Sequence, residues 1–140
     1  MNPIIKNILA VIAGVIVGGL VNMAIISVSG SIIPPPEGVN PEDLESIKAN
    51  MHLYEAKHFI MPFLAHALGA LVGAFIAAYI AVSRKMILAL AIGVFFFIGG
   101  AMMVSMIPSP MWFNILDLGF AYIPMALLGW FIANRVQSQA

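Results

Sequence analysis

Apolar residues fill four long runs of this chain, and polar residues collect in the connections between them. The runs cover about 8–28, 59–82, 86–107 and 112–133. Each is near the roughly 20 residues that carry a helix through a hydrocarbon layer. The pattern predicts an all-α, four-helix transmembrane bundle, with residues 1–140 forming a single polytopic membrane domain. The fourth run is the weakest. Its uninterrupted apolar stretch covers only 118–133, and extending it back to Trp112 brings Asp117 inside the membrane boundary. The first run is too long for a signal-peptide core, so it is expected to be a retained span.

Punctuation supports these limits. Pro34, Pro35 and Pro36 stop the first run, and Pro108 and Pro110 stop the third, because proline lacks a backbone donor and restricts the residue before it. The short Ser83-Arg84-Lys85 hinge makes spans two and three antiparallel neighbours. The long connection, 30–57, carries its own helix signal. Asn40-Pro41-Glu42-Asp43 offers a cap, a first-turn proline and acids suited to the positive end of a helix. Leu44, Ile47, Met51 and Tyr54 then follow at helical spacing. An amphipathic helix on the outer surface, between spans one and two, is the expectation.

Composition narrows the class. The chain is 62% hydrophobic and only 9% charged, with mean hydropathy +1.04, far from a soluble domain's usual quarter of charged residues. Its basic residues are few and scattered, which excludes the basic stripe of a nucleic-acid binder. It has no cysteine, hence no disulfide and no thiolate metal site or nucleophile. Charge placement gives an orientation. Lys6, Arg84, Lys85 and Arg135 flank the runs on one implied side, while all the acidic residues fall in the other two connections or just inside them. Because Lys and Arg bias a loop toward the cytoplasm, both termini are expected to be cytoplasmic, in the cell's inner membrane.

Two kinds of residue inside the spans carry candidate chemistry. Ala10, Gly14, Gly18 and Asn22 recur every four residues on the first span, as do Ala65, Gly69, Gly73 and Ala77 on the second. Small residues at that spacing let helix backbones approach, within one chain or between copies. The second kind is polar. His66, Asn22, Asp117 and Tyr122 fall at similar depths on three spans, and are expected to form one intramembrane polar layer. Such a layer fixes helix packing through hydrogen bonds, or binds a proton or small solute.

A metal reading attaches to His52, Glu55 and His58, where a carboxylate is bracketed by imidazoles three residues away on each side. The spacing is not that of a zinc-protease helix and specifies no fourth ligand. Met23, Met51, Met61, Met102, Met103, Met106, Met111 and Met125 all fall toward the outer side expected to bear the long connection, with only Met1 and Met86 toward the inner side. Met102 and Met106 resemble a copper-transporter MxxxM pair, but the span count and motif order differ, and flexible gap-filling is the expected role. No nucleophile–base pair is visible, so no enzymatic activity and no cofactor are expected. The reading is of a small integral membrane protein whose partners are the lipid bilayer and either further copies of itself or a membrane complex. The alternative is a carrier of a small solute, proton or soft metal around His66.

Overall fold

The computed structural model describes all residues, Met1 to Ala140, and is helical throughout, without strands. Helix α1 spans Pro3–Ile32, α2 Leu44–Ala49, α3 Ile60–Ile80 and α4 Lys85–Met106, followed by α5, Met111–Phe120, and α6, Ile123–Gln139. α1, α3, α4 and the α5–α6 pair make four segments long and apolar enough to cross a membrane.

α1 starts earlier and ends later than its apolar run. Asn2 caps it by accepting from the Ile4 N–H at 2.8 Å, and Pro3 occupies the first helical position, where its missing donor costs nothing. Near the other end the Ser27 and Ser29 hydroxyls donate to the Ala24 and Ile26 carbonyls, so neither polar group interrupts the helix. The helix stops at Ile32, just before the three prolines.

The surface helix is much shorter than its apolar stripe predicts. Asn40 does not cap it. Its side chain accepts from Glu42 N–H and its own N–H donates to the Ser46 hydroxyl, which folds the segment into a turn. Asp43 is the cap instead, accepting from Glu45 N–H. α2 ends after six residues at Asn50, whose side chain donates back to the Ser46 carbonyl at 2.8 Å. Two single 3-10 turns, Met51–Leu53 and Ala56–Phe59, complete the connection. Leu44, Ile47, Met51 and Tyr54 are still all half-buried, so the stripe survives without the continuous helix.

The fourth span is interrupted. Pro124 removes an N–H from the ladder, and its ring conflicts with the carbonyl four residues back. The bonds flanking the interruption run from Ala121 N–H to the Asp117 carbonyl and from Ala126 N–H to the Tyr122 carbonyl. Pro62, near the start of α3, leaves that helix unbroken, since a first turn has donors to spare.

α3 lies at the centre, packed against α1, α6 and α4. Its core face is nearly all alanine and glycine: Ala74, Ala77 and Ala78 meet Ala89 and Ile92 of α4 and Ala126 and Ala133 of α6. Hydrogen bonds define one end of the bundle. Asn7 of α1 donates to the Ser83 hydroxyl at 2.9 Å and accepts from Val82 N–H at 3.0 Å. Gln137 of α6 donates to the Tyr79 carbonyl at 2.8 Å and accepts from the Lys85 ammonium. This terminal end therefore gathers the start of α1, the α3–α4 hinge and the end of α6. The opposite, loop end carries 33–59 and the α4–α5 turn.

Candidate functional site: a histidine–aspartate–tyrosine cluster

His66 lies six residues into α3, or roughly 9 Å along the axis from Ile60. Its Nδ1 faces both oxygens of Asp117 on α5, at 2.8 and 3.0 Å. A carboxylate only accepts, so Nδ1 is the nitrogen that bears a proton when Asp117 is ionised. The Tyr122 hydroxyl donates to the same carboxylate at 3.0 Å. The tyrosine ring stacks on the imidazole with centroids 5.6 Å apart, and Phe97 of α4 meets it edge-on. The aspartate side chain is 3% exposed and the histidine 22%. An imidazolium beside a carboxylate, or their neutral forms, gives the cluster no net charge, which suits this depth.

The backbone interruption makes this geometry possible. In a continuous helix, residues five apart point about 140° away from each other and cannot meet. The turn at Ala121 and Tyr122 redirects the tyrosine side chain back along α5 to Asp117. Gly100 of α4 supplies the room, since a Cβ there would stand 2.6 Å from the Tyr122 Cζ. Neither Gly100 nor Pro124 is a candidate by chemical type, yet both position the cluster.

Asn22 does not join the other three. It hydrogen-bonds to none of them, and its Cβ lies 3.1 Å from where a Gly69 Cβ would be. The reason is azimuthal: the Gly69 side of α3 faces α1, whereas His66 faces α5. The predicted four-residue layer is therefore a three-residue cluster. Asn114, one turn before Asp117, donates to the Ser109 carbonyl and keeps its Oδ1 buried without a partner.

The small-residue stripes face each other. A Cβ on Gly14 would lie 2.6 Å from the Gly73 carbonyl oxygen, and one on Gly73 would lie 2.7 Å from the Gly14 carbonyl. Gly18 and Gly69 repeat this one turn on, at 2.6 and 3.0 Å. Close approach is thus realised within one chain, between α1 and α3.

The predicted metal set does not assemble. Glu55 and His58 instead form a reciprocal cap: Glu55 N–H donates to His58 Nδ1 at 2.8 Å, and the Glu55 carboxylate accepts from the His58 N–H. Glu55 also pairs with Lys57 at 3.3 Å. His52 sits on the preceding 3-10 turn, and no three His, Asp or Glu side chains converge in metal-binding geometry. Partial burial beside His58 and Phe59 pushes the Tyr54 phenol above its ordinary pKa. Gap-filling by methionine is also corrected for α4, where Met102, Met103 and Met106 are exposed on the bundle's outer face.

A cleft of about 650 Å³ opens at the loop end, where Pro34, Pro35 and Glu37 meet Leu53, Lys57 and His58; it does not reach His66. Comparison with protein-family models, with curated proteins and with solved structures found no match. The four apolar helices are compatible with an integral membrane protein, and the chemistry of any role must be argued from the site itself.

Proposed function

We propose that this chain is a non-enzymatic accessory subunit of the inner membrane, spanning it four times with both termini cytoplasmic, and that it self-associates or joins a membrane complex. What carries this reading is where its recognition chemistry is spent. The glycine seam is used between α1 and α3, and Asp117 and Tyr122 are sealed within the bundle. Facing outward are apolar side chains such as Ile12, Ile16 and Leu20 on α1 and Phe95 and Ile98 on α4, a surface for lipid or for a neighbouring apolar helix. Photoreactive groups at positions 16 and 98, activated in native membranes, test it. Protein crosslinks, to a second copy or to another chain, are expected; crosslinks to lipid alone at both positions would refute the subunit role. Orientation has its own test: a single cysteine at position 84 should resist impermeant labelling in intact cells.

A proton-linked carrier is the second reading, and His66 favours it. Its Nδ1 is anchored by Asp117 while Nε2 makes no hydrogen bond within the protein, beside an interrupted span. Interrupted spans are where carriers place binding groups. His66→Ala in vesicles separates the two. Uptake lost with stability retained supports the carrier; stability lost, with no proton uptake by the wild type, supports a packing role.

A further inference from the structure

Charge is divided between the two ends of the bundle. Lys6, Arg84, Lys85 and Arg135 all belong to the terminal end, while Glu37, Glu42, Asp43, Glu45 and Glu55 belong to the loop end and Asp117 to the span between. The bonds that close the terminal end also bring the cations together. Asn7, beside Lys6, holds Ser83 and Val82, next to Arg84; Lys85 donates to Gln137, two residues beyond Arg135. The salt bridges of the chain are Lys48–Glu45, Lys57–Glu55 and His66–Asp117, so none of these four cations has a carboxylate partner.

Their setting suggests what pairs with them. Arg84 occupies the apex of the α3–α4 hinge with φ 53° and is exposed. Arg135 is exposed too, its guanidinium 4.9 Å from the Phe131 ring centroid. Directly inside this rim, Ile8, Met86, Ile87 and Phe131 are exposed apolar side chains. Unpaired cations bordering an exposed apolar belt match a ligand with a negative head and hydrocarbon tails.

We propose that the terminal end selectively recruits anionic phospholipids, with Lys6, Arg84 and Arg135 engaging their phosphates and the apolar belt their acyl chains. The inference rests on the membrane-spanning reading. Each such cation favours an anionic surface by about fivefold, an effect that salt screens.

The two tryptophans give a direct test, because Trp130 lies roughly 8 Å along α6 from Arg135 while Trp112 lies in the first turn of α5 at the loop end. Trp112→Phe and Trp130→Phe proteins each keep one reporter. They are reconstituted into phosphatidylcholine vesicles with a minority of phosphatidylglycerol, with bromines on the chains of one lipid or the other. Brominated phosphatidylglycerol should quench Trp130 several-fold beyond its share of the bilayer, less so as salt rises, while Trp112 follows the bulk composition. Lys6→Gln, Arg84→Gln and Arg135→Gln together should abolish the excess; Lys48→Gln with Lys57→Gln should leave it intact. Quenching of Trp130 that follows bulk composition, or an excess that survives the triple substitution, overturns the proposal. Protein that fails to enter vesicles overturns the membrane-spanning reading beneath it.

Discussion

Adding one methyl group at Gly14 should destabilise the monomer rather than an assembly. An alanine Cβ there would stand 2.6 Å from the Gly73 carbonyl oxygen, against the 3.4 Å where ordinary contact begins, and 3.0 Å from both Ala77 Cβ and Ile92 Cδ1. Two of these three neighbours are rigid, so α1 must retreat by roughly 0.8 Å, the difference between the first two distances. A gap of that size forfeits a quarter to a half of the dispersion energy per contact. The retreat also loosens the Gly18–Gly69 contact one turn away, and α3 is the main neighbour α1 has. Overpacking of this kind costs about 2 kcal/mol. Gly19→Ala is the matched control, with nothing within 4 Å of its new Cβ, and should be neutral or stabilising by up to about 1 kcal/mol from helix propensity. Reversible unfolding in mixed micelles, with sedimentation on the same samples, measures stability and mass together. If Gly14→Ala unfolds within about 0.5 kcal/mol of Gly19→Ala, the glycine seam is not an intramolecular contact and the argument fails.

Further outcomes follow from the cluster and its surroundings. His66→Ala leaves Asp117 with only the Tyr122 hydroxyl and should cost about 2 kcal/mol; adding Asp117→Asn should recover part of it, and a strictly additive double-mutant cycle would argue against the contact. Gly100→Val should displace the Tyr122 ring and raise its fluorescence accessibility to an aqueous or lipid quencher, with unchanged accessibility counting against the packing described. Pro124→Ala should let α5 and α6 join, slowing amide exchange at Tyr122 and Ile123 while separating Tyr122 from Asp117; exchange as fast as in the wild type would mean that proline is not what breaks the helix. Zinc titration against His52→Ala with His58→Ala should show no metal-dependent gain in melting temperature for either protein, because the Glu55–His58 pair is already spent on capping.

Local chemistry was enough to find the four long apolar helical segments. Runs of apolar residues bounded by prolines and a basic hinge mark helices because backbone groups in such runs can be satisfied only internally, a property of each segment alone. The small-residue periodicity on α1 and α3 was equally legible, since residues four apart share a helix face whatever surrounds them. Which faces would meet was not. That Gly14 and Gly18 serve α3 rather than a second copy depends on the azimuth of α1 about the bundle, which packing decides. Azimuth likewise removes Asn22 from the polar cluster, although its depth is comparable with that of His66. The surface segment shows local rules in competition: Asn40 offers an acceptable cap, but its bonds to Glu42 and Ser46 satisfy it as a turn, and Asp43 takes over. Asp117 and Tyr122 are the clearest case. Their spacing of five forbids contact on a regular helix, so sequence periodicity argues against the bond that is present. It forms because Pro124 interrupts the ladder and Gly100, on a different helix, leaves the space into which the redirected tyrosine fits.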